Sequence, residues 1–297
     1  MTTDDWPIVR EKGRDMLNNL KTAALLAGMG ALLMAVGAAV GGNNGLMIGL
    51  ALGLVAVGGS YWFSDKLAIT AARARPVSEA EYPQYYAVVR DLTHRAGIPM
   101  PNLFVAPNPQ PNAFATGRNP HHAAVCINQG LIDCLRWDEI AGVLAHEISH
   151  VRNRDILTSS VAAAVAMGIT FVARMAAFGA MFGGVGRGND RDGGGIADLL
   201  MLFLAPVAAM VIQMAISRNR EFEADASAAR LLDTGEPLAR ALEKLELGAQ
   251  RIPVDVNPAQ AQAYIVNPLR GRSFAKLFST HPSTADRIAR LRSNTWR

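Results

Sequence analysis

Two short polar stretches carry residues of the types that bind metals and move protons. The first is AHEISH, Ala145–His150, in which His146 and His150 stand four apart and Glu147 follows the first of them. On a helix, positions four apart share a face, so both imidazoles can aim a ring nitrogen at one ion. Glu147 is one step further round, where a carboxylate can take a proton from a water held by that ion. The second stretch is SRNREFEADASAA, Ser217–Ala229, which sets Glu221, Glu223 and Asp225 close together. At ~100° per helical residue, Glu221 and Asp225 share a face, while Glu223 lies about 200° round from Glu221.

A catalytic zinc takes three protein ligands and keeps one position open for water. No further histidine occurs in HEISHVRNRDILTSS, and His94, His121, His122 and His281 are the remaining ones. Zincins with a glutamate ligand carry it on a later helix, with an aspartate one turn further on. Glu221 and Asp225 supply that pattern. Glu221 can ligate, and Asp225 can accept the second ring N–H of a zinc-bound histidine and so fix its tautomer. A carboxylate pair alone is usually a solvated helix face; beside His146 and His150 it is read as ligand and supporting acceptor. Glu223 then belongs to the surface. Two imidazoles and a carboxylate favour one Zn2+ ion over other divalent metals.

The elements that must position these groups are mostly helical. Asp138–Arg154 reads as the helix bearing both histidines, with Asp138 and Glu139 well placed against the positive end of its dipole. A helix fits Ser78–Ala96 with Ser78 as cap, and two more fit Glu236–Arg251 and Thr284–Arg292. Between the first two lie β-like runs at Asn102–Ala106, Asn112–Thr116 and Ala123–Asn128, parted by Gly, Pro and Asn as in a small meander. Cys126 and Cys134 match neither a zinc ribbon nor a CxxC redox pair and read as reduced thiols.

The 297 residues are 50% apolar and 18% charged, and the apolar ones are concentrated in runs. Thr22–Gly41 is free of charge, and Gly45–Phe63 follows the break Gly42-Asn43-Asn44. About 20 apolar residues suffice to span a bilayer. Gly45, Gly49 and Gly53 recur every four residues, a face that lets helices approach closely. Thr158–Gly184, interrupted by Arg174, and Leu199–Ile216 read as spans three and four. Arg174 is read as snorkelling or facing a neighbouring helix. Basic residues flank the spans on the side of the polar segments, which places both termini and the folded parts in the cytoplasm. The chain thus divides into a cytoplasmic segment (1–21), spans one and two (22–63), a first catalytic part (64–157), spans three and four with the loop 185–198 (158–216), and a second catalytic part (217–297). The fold class is α+β, mainly α: a glutamate-zincin domain with a small sheet and about four transmembrane helices. A net charge of +4, dispersed, argues against nucleic acid as a partner.

The stretches AHEISH (145–150), SRNREFEAD (217–225), PNAFATG (111–117) and STHP (279–282), in this order along the spans, resemble the HtpX-type membrane zinc metallopeptidases, relatives of the CAAX prenyl proteases. The resemblance implies an endopeptidase of the bacterial inner membrane. Its active site faces the cytoplasm and cleaves damaged or misfolded membrane proteins under stress. It also implies that Asn112, Ala113, Phe114 and Ala115 form an edge strand for an extended substrate, and that His281 stabilises the oxyanion beside Glu147 as base. Arg218 falls in the motif without an assigned role. Three alternatives compete: a prenyl-peptide processor sharing the motifs, an idle membrane scaffold, and a four-span channel. The near absence of charge in the spans disfavours the channel.

Overall fold

The computed structural model describes residues 8–158, 160–161, 218–251 and 282–296. Helix α1, Ile8–Ala71, runs as 64 helical residues. A Cβ built on Gly53 would lie 3.4 Å from the Cα of Gly30. A straight helix would hold those two residues about 35 Å apart at ~1.5 Å rise per residue, so the chain doubles back between them. The expected pair of apolar segments therefore lies side by side, with glycine at the contact. Large apolar side chains stand outward along α1, among them Ile48, Leu54, Val55 and Trp62. Among the described residues, no helix is long and apolar enough to cross a membrane. The expected spans three and four and the loop 185–198 lie almost wholly outside the described residues.

Beyond α1 the chain builds a small sheet under a group of helices. Strand β1, Arg75–Pro76, precedes helix α2, Pro83–Ala96. The helix begins five residues later than Ser78 would suggest, because Pro83 occupies its first position and Tyr82 before it is non-helical at φ −132° and ψ 64°. Ser78 instead closes a turn, its N–H and hydroxyl both donating to Glu81 Oε2 at 3.0 Å. Strands β2 (Asn102–Ala106), β3 (Ala113–Gly117) and β4 (Ala123–Asn128) follow, with a 3-10 turn at Pro120–His122 before the last.

The sheet order is β1-β2-β4-β3, which corrects the expected meander. β4 inserts between its predecessors, parallel to β2 and antiparallel to β3. All six residues of β4 are buried, as suits an apolar strand covered on both faces and paired on both edges. β3 is left on the rim, with the return turn allowed by Gly117 at φ 132°.

Helix α3 (Gln129–Cys134) leads into α4, Trp137–Arg152, the axis of the domain. Ile140, Val143, Leu144 and Ile148 of α4 are fully buried. The α4 N-terminus is closed by Glu139, whose carboxylate accepts the Arg136 N–H at 2.9 Å and lies 2.7 Å from Lys244 Nζ. Helices α5 (Arg218–Leu232), α6 (Glu236–Arg251) and α7 (Thr284–Arg292) complete the fold. α6 crosses α4 at Gly142, where a Cβ would fall 2.5 Å from the Leu238 nitrogen. Ser283 caps α7 by accepting the Asp286 N–H at 3.0 Å. The domain is mainly helical with a small mixed sheet. Both cysteines are free; Cys126 is buried in β4, which pushes its thiol up to about 12, and Cys134 is exposed.

Candidate metal centre

α4 brings His146 and His150 onto one face by their four-residue spacing. Their Nε2 atoms lie 3.2 Å apart, with the rings perpendicular and their centroids 4.7 Å apart. Glu221, in the first turn of α5, faces them from the neighbouring helix. Its Oε2 is 3.7 Å from His146 Nε2, and its Oε1 is 3.7 Å from His150 Nε2. Two imidazole nitrogens and a carboxylate thus close a triangle within 4.8 Å. Ligands about 2.0–2.1 Å from a tetrahedral zinc stand about 3.3 Å from one another, so this donor set fits zinc in chemistry and in spacing.

Each histidine is held through its other nitrogen. His146 Nδ1 lies 2.9 Å from Asp225 Oδ1, so Asp225, one turn after Glu221, meets the histidine as its spacing suggested. His150 Nδ1 lies 3.4 Å from Asp155 Oδ2, and the other oxygen of Asp155 is 3.6 Å from Arg220 Nη1. Asp225 in turn accepts from Arg287 on α7, at 2.8 Å from Nε and 2.7 Å from Nη2. Asp155 and Arg287 were missed in the sequence. Asp155 stands just beyond α4, and Arg287 is remote along the chain; the one available signal was their closeness to AHEISH and to STHP.

Glu147 is 6% exposed, and its Oε2 accepts the backbone N–H of Ala115 at 2.9 Å. The register pairs Asn112 with Asn128, since the Asn128 N–H donates to the Asn112 carbonyl at 2.8 Å. Backbone polar groups of even-numbered residues therefore face β4, and those of Ala113 and Ala115 point away from it. Of the four expected substrate-binding residues, Ala113 and Ala115 turn their backbone groups away from β4, but Ala113 is 1% exposed and the Ala115 N–H is held by Glu147. The Asn112 carbonyl is already engaged, and the Phe114 backbone faces the sheet. Glu223 is exposed, on the far face of α5. His281 lies outside the described residues, as does Arg174.

The electrostatics separate the carboxylates. Burial raises the Glu147 carboxyl, Glu221 adds to this, and the two histidines and the Ala115 N–H work against it. Burial alone would also raise Asp225, but the charge and hydrogen bonds of Arg287, aided by His146, outweigh it and hold the group at about 2. Burial alone would lower His150, yet Asp155, Glu221 and Glu147 overcome it and bring the ring up to about 9. The same carboxylates that favour a proton on this ring favour any positive charge placed beside it. A divalent cation is such a charge.

Known proteins resemble this chain. The sequence profile of peptidase family M48 matches residues 79–295. The chain is 51% identical over 281 residues to a protein named Protease HtpX homolog from Syntrophobacter fumaroxidans, covering 94% of this chain and 100% of the relative. A homologue of the same name from Pelotomaculum thermopropionicum is 50% identical over 276 residues, covering 93% and 98%. One from Thermococcus sibiricus is 49% identical over 276 residues, covering 92% and 94%. Among solved structures, S. mikatae Ste24p aligns with a TM-score of 0.51 at 20% identity, over 95% of this chain and 66% of that longer one.

Proposed function

Since the chain belongs to peptidase family M48 and is a metallopeptidase, we propose that it is a zinc-dependent endopeptidase of the bacterial inner membrane. In this reading it hydrolyses peptide bonds of membrane or misfolded proteins at the cytoplasmic face. The observation that carries the reading is the triangle of His146, His150 and Glu221 with the buried Glu147 beside it. His146, His150 and Glu221 would hold the ion. A zinc ion bound there supplies Lewis acidity, polarising the scissile carbonyl and acidifying a water. Glu147 takes a proton from the attacking water and returns it to the leaving amine, a task that suits a carboxyl raised by burial. Asp225 keeps the His146 proton on Nδ1, so the Nε2 lone pair faces the triangle. The substrate-binding role of Asn112, Ala113, Phe114 and Ala115 belongs to the proposal through the resemblance of PNAFATG, with β3 as the rim strand of the sheet, the place where an extended peptide can add. His281 belongs to the proposal as an oxyanion donor through the resemblance of STHP alone.

Membrane attachment is proposed from the charge-free run Thr22–Gly41 and the apolar side chains standing outward on α1. The division into catalytic parts 64–157 and 217–297 around spans belongs to the same reading, as does the cytoplasmic orientation. The test is hydrolysis of a membrane-protein substrate by the purified chain with and without chelator, alongside Glu147→Gln and Glu221→Ala. Glu147→Gln should keep its zinc and lose ~10²–10⁴-fold in turnover. Glu221→Ala should lose the metal itself. Near-normal turnover by the Gln variant, or full zinc in the Ala variant, would overturn these assignments.

A further inference from the structure

Arg287 is fully charged, 1% exposed, and delivered to the site by a helix that contributes none of the three proposed ligands. A buried guanidinium is costly unless every approach to it is matched. Here Nε and Nη2 grip the two oxygens of Asp225 side by side, at 2.8 and 2.7 Å. Such a two-pronged contact fixes the plane of a carboxylate as well as its distance. The oxygen held by Nη2 is Oδ1, the same atom that stands 2.9 Å from His146 Nδ1. Arg287 Nη2 itself lies 3.5 Å from that nitrogen.

The plain alternative is that this ion pair only docks α7. The helix, however, has other anchors. Arg292 clasps both Glu236 and Glu243, Thr284 Oγ1 donates to Glu246 at 2.6 Å, and Arg230 Nε of α5 donates to the Trp296 carbonyl just beyond α7 at 2.8 Å. None of these touches the metal triangle. We infer that Arg287 is a positioning residue of the metal centre: by locking the Asp225 carboxylate in one orientation it fixes the His146 ring, and α7 is thereby part of the active site. The inference rests on the assignment of His146, His150 and Glu221 as ligands.

The test compares the full-length wild type with Arg287→Lys, Asp225→Asn, their combination, and Arg292→Ala. Zinc affinity is measured by chelator competition, the visible spectrum with cobalt(II) loaded, and unfolding without metal. Lysine keeps the charge but cannot grip both oxygens. Arg287→Lys should bind zinc ~10–100-fold more weakly, the usual cost of losing a partner behind a ligand. It should shift the cobalt bands and lower kcat more than KM while remaining folded. The double variant should lose no more than Asp225→Asn alone. Arg292→Ala should lower stability and leave zinc affinity unchanged. Wild-type zinc affinity in Arg287→Lys, multiplying losses in the double variant, or an equal loss in Arg292→Ala would each overturn the inference. If Arg287→Lys does not fold, Asp225→Asn carries the comparison, and unchanged affinity there overturns it equally. A wild-type chain that takes up no zinc, or His146→Ala that takes up as much as wild type, would overturn the ligand assignment and this inference together.

Discussion

At the scale of single residues, the site is a set of proton positions. Asp225 illustrates the sign of the pH dependence that follows. Its carboxyl drops from an ordinary 3.8 to about 2 on folding. A depressed acid contributes its full stabilisation above the unfolded value and loses it as pH falls through the folded one. The metal-free wild type should therefore shed on the order of 2 kcal/mol between about pH 4 and pH 2. Asp225→Asn should lack that part of the slope, and an unchanged acid-unfolding profile in the variant would remove the argument. Much at this scale was legible beforehand. Spacing alone placed His146, His150, Glu221 and Asp225 on common faces and sent Glu223 to the surface, because helical periodicity acts within a few residues. Arg287 and Asp155 were hidden, since each reaches its histidine through packing between elements. The Glu147–Ala115 hydrogen bond was hidden for the same reason.

At the scale of elements, α4 has to serve both as core and as bearer of the candidate metal centre. Its apolar residues fill the centre of the domain, and its two histidines look out across a narrow gap to α5. That double duty needs close packing on the other side, which Gly142 provides against Leu238 of α6. Gly142→Ala puts a methyl into backbone it cannot displace, so the gain from a better helix former is outweighed. A loss of about 1–3 kcal/mol is expected, seen as an earlier denaturant midpoint, with zinc content falling in parallel. A variant as stable as wild type would mean that α4 and α6 separate easily. The helices were the most legible elements, with the starts of α6 and α7 set as their sequences suggested. The sheet was legible as strands but not as an order. Strand order depends on which edge a chain returns to, and a run such as AAVCIN says only that it will be buried.

At the scale of the whole molecule, the fold joins a helical hairpin bearing outward apolar residues to a compact metal-binding domain. If the hairpin anchors the chain as proposed, alkaline carbonate should leave the protein with the membrane pellet. Charged residues in place of Leu54 and Val55 should release a share of it. Release of the wild type by carbonate would instead assign those side chains to a protein partner. The separation of the site's parts along the chain has a temporal meaning as well. His146 and His150 leave the ribosome long before Glu221, and Arg287 follows later still. At ~5–20 residues per second, the proposed ligand set is incomplete for several seconds of synthesis, and Arg287 is added after that. A copy made only through α4 carries His146, Glu147 and His150 without the carboxylate of Glu221. On the proposed assignment, the site can close only after both halves of the domain have been made.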